Sequence, residues 1–280
     1  MSIVHTINTR RAASVTCLSF LLIIIASFRG EAQTGSLFIA NHYPSDQSLD
    51  NYNYDILETQ QGLIQIANRH GLISFDGASW EITQTPYAIF FLEESKDGTI
   101  YAGGRLGFGK FVTGDDLELE FVAIDSTFRD LFHSFLKDDL LYMINEDNLI
   151  IHNTLSNETT VIQSGESGDF EEVNGNSTNV WVSTSDEGIL QIENLELTEP
   201  ELQPNTKSEV KRTNQAGVSA HFTFTGEVFL ETEFGFEKLH IQDEGYLDEH
   251  TVTQIEWIDN RILAIGTLSG GILFTDAKNG

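Results

Sequence analysis

One pattern limits what this chain can fold into: a short apolar strand, a turn, a glycine and a second strand, recurring six times. The copies begin in residues 62–77 and 98–111, continue in 141–145 with 149–151, and then in Val180–Thr184 with 188–192. The last two are Val228–Thr232 with 235–236, and 263–267 with 271–274. Their first strand residues fall at 64, 100, 141, 180, 228 and 263, at intervals of 36, 41, 39, 48 and 35. That period matches one four-stranded propeller blade of about 40 residues. A further apolar segment precedes the copies, as at 54–59, 89–92, 134–137 and 253–258, and reads as a short apolar inner strand. No sustained 3.6-residue apolar period appears. The expected class is all-β: a β-propeller of about six four-stranded blades. The sixth lacks its outer strand, or residues 37–40 supply that strand and close the ring, which would remove an exposed sheet edge.

A single blade cannot cover both of its faces, so neighbours must bury one another. Tyr101, Tyr142, Trp181 and Phe229 are therefore expected between blades. The glycine that follows each second strand suits a hairpin needing positive φ or close backbone approach.

The first 32 residues read as a signal peptide, with the propeller filling 33–280. Arg10 and Arg11 precede the apolar run 15–26, and Gly30 and Ala32 sit at positions −3 and −1 before Gln33. The alternative is a retained anchor, although the run is shorter than the roughly 20 residues a span needs. The expected location is periplasmic or secreted. Cleavage would shift the net charge from −28 to −30 and remove Cys17, the only cysteine. Such a negative chain repels nucleic acid and anionic membrane. Acidic solvation accounts for the charge, and no D-x-D-x-D-G calcium loop occurs.

In these repeats the chain resembles the two-component regulator propellers, the periplasmic sensor regions of Bacteroidetes-type hybrid sensors. Residues 180–188 and 263–271 carry that family's strand, Gly–Thr-like ending and glycine. Residues 71–80 resemble its opening blade and 97–109 its second. The resemblance covers about residues 37–275. It implies a sensory module joined in a longer protein to a sandwich domain, a membrane helix and a cytoplasmic output.

No catalytic constellation is visible, and neither a metal site nor a cofactor is expected. The eight histidines are scattered without metal-ligand spacing, His221, His240 and His250 included. No G-x-S-x-G or S-x-x-K is present. The glycine-rich run 103–109 leads into a strand and so lacks the helix N-terminus a phosphate loop uses. Carboxylate pairs suited to glycoside chemistry would be recognisable only in space.

Propeller ligands usually bind at one end of the channel. Turns between second and third strands would bring Arg69, His70 and Arg105 to that end, where they suit a glycan or another anionic small ligand. The reading is an extracytoplasmic ligand-sensing or interaction propeller. The alternatives are a secreted carbohydrate-active enzyme and a protein-binding scaffold.

Overall fold

The structure is a computed structural model that describes residues 52–114, 118–200, 208–223, 225–232, 235–241 and 244–278. The expected signal peptide and the candidate closing strand at 37–40 lie outside the described residues. Six antiparallel sheets follow one another along the chain. Blade one holds β1 (Asn53–Glu58), β2 (Ile64–Asn68), β3 (Gly71–Phe75) and β4 (Trp80–Gln84). Blade two holds β5 (Ile89–Glu94), β6 (Ile100–Gly104), β7 (Gly107–Thr113) and β8 (Leu119–Asp125). Blade three holds β9 (His133–Lys137), β10 (Leu140–Ile144), β11 (Asn148–Asn153) and β12 (Thr159–Gln163). Blade four holds β13 (Phe170–Gly175), β14 (Val180–Thr184), β15 (Gly188–Glu193) and β16 (Glu196–Thr198). Blade five holds β17 (Ser208–Thr213), β18 (Ser219–Thr223), β19 (Val228–Thr232) and β20 (Gly235–Lys238). After the short helix α1 (Glu244–Glu249), blade six has three described strands: β21 (Val252–Trp257), β22 (Ile262–Thr267) and β23 (Gly271–Asp276).

The first strands of successive blades pack in chain order, β1 on β5, β5 on β9, β9 on β13, β13 on β17 and β17 on β21. Side chains alternate between the two faces of a strand, and here both faces are covered. In β6, Ile100 and Ala102 join Ala67, Leu72 and Leu92 at the seam of blades one and two. The intervening Tyr101 joins Phe91, Phe108, Leu141 and Met143 at the next seam. All five residues of β6 are consequently buried. Tyr142 packs with Val173, Val180 and Val182 between blades three and four. Val210, Ala220 and Phe222 pack with Ile255, Leu263 and Ile265 between blades five and six. The seam of blades four and five carries polar contacts. Trp181 Nε1 donates to the Lys211 carbonyl at 3.2 Å, and Lys211 Nζ stands 5.1 Å from the Trp181 ring centroid.

The first and last described blades each present apolar side chains to solvent: Tyr54 and Ile56 on β1, Ile272 and Phe274 on β23. Their neighbours Leu57 and Leu273 turn the other way, into the seams.

The glycine opening the third strand has the expected role at Gly71 and Gly107, with φ of 140° and 104°. A Cβ on Gly107 would run into the Asp125 carbonyl, and one on Gly71 into that of Thr83.

Two expectations need correction. The fifth repeat is displaced by one strand: Val228–Thr232 is the third strand of its blade, and Ser219–Thr223 is the second. Second strands then begin at 64, 100, 140, 180, 219 and 262, at intervals of 36, 40, 40, 39 and 43. The inner strands are also not simply apolar, because they carry Asp55, Glu93, Glu172, Arg212 and Glu256.

Candidate functional site

Five of the six inner strands share an irregularity near their start. Pairing with the second strand shifts between Asn53 and Asp55, Ile89 and Phe91, Phe170 and Glu172, Ser208 and Val210, and Val252 and Gln254. An extra residue of this kind bends a strand and re-aims the side chains beside it. In blade four the extra residue is Glu171. The bulge therefore brings Glu171 and Glu172 to the same cavity, where strict alternation would send them to opposite faces.

Below these bulges, charged groups of neighbouring inner strands meet. Asp55 accepts a hydrogen bond from the Leu92 amide at 2.8 Å, and Glu93 accepts one from Ser134 Oγ at 2.8 Å. Burial pushes the Glu93 carboxyl up to about 7; the Asp55 charge adds to this, while bonds from Ser134 and the Leu136 backbone oppose it. Arg212 spans three blades, pairing with Glu172 through Nη2 and with Glu256 through Nε at 3.1 Å. Burial holds the His133 imidazole below its ordinary range, with Glu172 and Asp55 working against that shift and Arg212 reinforcing it.

A cavity of about 650 Å³ opens at the end of the blades where the inner strands begin. Its lining comes from four blades. Phe132, His133 and Glu146 come from blade three; Asp169, Phe170, Glu171, Glu172, Ser183 and Ser185 from blade four; Val210 from blade five; and Thr253 and Gln254 from blade six. The rim is held by hydrogen bonds from backbone amides. The Phe170 amide donates to the Glu146 carbonyl at 2.9 Å, and Asp169 and Ser185 exchange two bonds of 3.0 Å. Among the described residues no cation pairs with Glu146, Asp169 or Glu171. Burial raises the Glu171 carboxyl, and the Asp169 charge adds to it. Two residues that line the cavity each carry a buried atom without a hydrogen-bond partner: Glu171 Oε2 and Ser183 Oγ. No three His, Cys, Asp or Glu side chains among the described residues are placed to hold a metal ion.

Arg69 and His70 occupy the turn between β2 and β3, and Arg105 the equivalent turn between β6 and β7. All three are exposed. These turns lie at the same end of their blades as Glu146 and Ser185 do in blades three and four. Arg69 stands over the Tyr52 ring at 5.8 Å, and the Arg105 backbone is tied to Ala88 and Asp130. None of the three is among the residues lining the cavity. Sequence reasoning placed its candidates at this same end of the blades and did not single out Glu146, Asp169, Glu171 or Ser183. The one available signal was the acidic run Asp169-Phe170-Glu171-Glu172, which opens an inner strand.

No family model and no curated protein matches the chain. Solved structures do. The extracellular domain of the putative hybrid two component system BT4673 from B. thetaiotaomicron superposes with a TM-score of 0.62 at 15% identity, covering 84% of this chain and 32% of that one. The corresponding domain of BT3049, from the same organism, gives 0.62 at 16%, covering 84% and 36%. Virginiamycin B lyase from Staphylococcus aureus, crystallised in a catalytically inactive form with quinupristin, gives 0.62 at 13%, covering 83% and 82%. The chain thus spans about a third of the length of these two extracellular domains. With six sequential antiparallel sheets and these neighbours, the chain has a β-propeller blade fold.

Proposed function

We propose that this chain is an extracytoplasmic recognition propeller, serving a signal-transduction receptor whose membrane-linked output lies in a longer protein. The observation that carries this reading is the cavity at the axial end, a ligand-sized space whose lining residues Glu171 and Ser183 each keep a buried hydrogen-bonding atom without a protein partner. Such atoms are costly to bury unless something completes them. The fold likeness to sensor ectodomains supports the receptor context. The high negative charge fits partners other than nucleic acid.

The test compares a strain lacking the gene with its parent, reading transcripts across a panel of nutrients and locating the protein by fractionation. The reading expects an exported protein and at least one response lost with the gene. A cytoplasmic protein, or identical responses in both strains, would sink it.

A second reading, a secreted propeller enzyme, is favoured by one observation: the lyase matches along 82% of its own length. Its sign would be turnover of a polysaccharide, or of quinupristin, by the purified chain.

A further inference from the structure

We propose that the cavity spanning blades three to six binds an organic amine, an ammonium group carried on an apolar body. This deepens the receptor reading above and rests on it for its biological context. Three observations converge on that chemistry.

The first is charge. Glu146, Asp169 and Glu171 line one rim, and no cation among the described residues pairs with them. Glu172 is already committed to Arg212. His133 adds no compensating charge, because burial favours its neutral form. An incoming ammonium would meet an uncompensated carboxylate cluster, and the −28 charge of the whole chain adds a field that concentrates cations.

The second is the pair of orphaned atoms. Ser183 is 3% exposed, it lines the cavity, and its Oγ has no partner. Glu171 Oε2 is likewise buried and unpartnered. An ammonium has three donors and no acceptor, and rotation of the Ser183 and Glu171 side chains toward the cavity they line would offer it both oxygens. An anion would meet the Glu171 carboxylate unfavourably.

The third is the remaining wall. Phe132, Phe170 and Val210 face the same space, which suits an apolar body and lets an aromatic face lie near the cation. A volume of about 650 Å³ is in the range of small-molecule sites.

The test is calorimetric titration of the full chain with phenethylammonium chloride, with the neutral isostere phenethyl alcohol and the anion glucuronate as parallel arms. Saturable one-to-one binding of phenethylammonium is expected, at least about tenfold tighter than the alcohol. Glu171→Gln should weaken it about tenfold or more, since a hydrogen bond to a charged group becomes a neutral one. Ser183→Ala should weaken it severalfold, and the melting temperature of each variant verifies that it is folded. Equal affinity for the alcohol, no saturation by about 10 mM amine, or affinity unchanged in Glu171→Gln would overturn the proposal. So would glucuronate displacing the amine. Amine binding with no gene-dependent response retains this site and removes the receptor reading; a gene-dependent response without amine binding does the reverse.

Discussion

Arg212→Met is the sharpest perturbation of the inner strands. Arg212 is 7% exposed and Glu172 9%, and the two face each other across blades four and five. Methionine keeps much of the side-chain volume but leaves the Glu172 carboxylate buried without its counter-charge. Removing one partner of a buried pair costs about 3–5 kcal/mol. The second pair adds little, because the Glu256 side chain is 61% exposed and worth about 0–1 kcal/mol at most. For a domain of this size the loss corresponds to about 6–20 °C in Tm. Urea unfolding followed by tryptophan fluorescence suits the measurement, since Trp181 and Trp257 donate to the Lys211 and Arg212 carbonyls at 3.2 and 3.1 Å. Pairing Arg212→Met with Glu172→Met removes the stranded charge and should restore most of the stability. A loss below about 1 kcal/mol would refute the reasoning, and so would a double variant no more stable than the single one.

Other outcomes follow from the same packing. Glu93 keeps its proton in the folded protein up to about 7, against an ordinary 4.5, so the folded state binds more protons than the unfolded one between those values. Stability should therefore fall as pH rises from 4.5 to 7. Glu93→Gln should remove that slope, gaining at most about 3 kcal/mol at pH 8 and almost nothing at pH 4 in urea melts. Gly62 and Gly107 both have positive φ, but only at Gly107 would a Cβ meet backbone. Gly62→Ala should cost about 1–2 kcal/mol of strain, and Gly107→Ala clearly more, as read by thermal melts of the two variants. Phe108→Ala empties a fully buried position between blades two and three and should cost about 3–5 kcal/mol in the same assay.

The blades that read clearly in the sequence are those whose second strands are apolar on both faces, such as Ile100–Gly104 and Val180–Thr184. There, burial between neighbours leaves a local compositional trace. Blade five hides its register because its strands are buried with polar side chains whose partners lie elsewhere. In β18, His221 is 3% exposed and its Nε2 lies 2.9 Å from Glu231 on β19. In β17, Lys211 pairs with Glu231, and Arg212 with Glu172 and Glu256. Locally those segments look like polar loops, while Val228–Thr232 followed by Gly235 imitates the repeat. An interval of 48 followed by one of 35, after 36, 41 and 39, was the legible sign of the slip.

The cavity was less legible for a related reason. Adjacent Glu171 and Glu172 would face opposite sides of a regular strand, and only the bulge brings both to one space. Nothing in local composition announces a bulge. Ser183 likewise reads as an ordinary strand residue until the neighbouring blades leave its hydroxyl enclosed and without a partner.

The central claim is a propeller whose axial end receives an amine at the junction of blades three to six. A crystal structure of the chain grown with phenethylammonium tests it most directly. The account predicts six sequential antiparallel sheets with Ser219–Thr223 second in the fifth. It also predicts the ammonium nitrogen about 3 Å from both Glu171 Oε2 and Ser183 Oγ. An amine seated elsewhere, or a fifth sheet with Val228–Thr232 as its second strand, would contradict it.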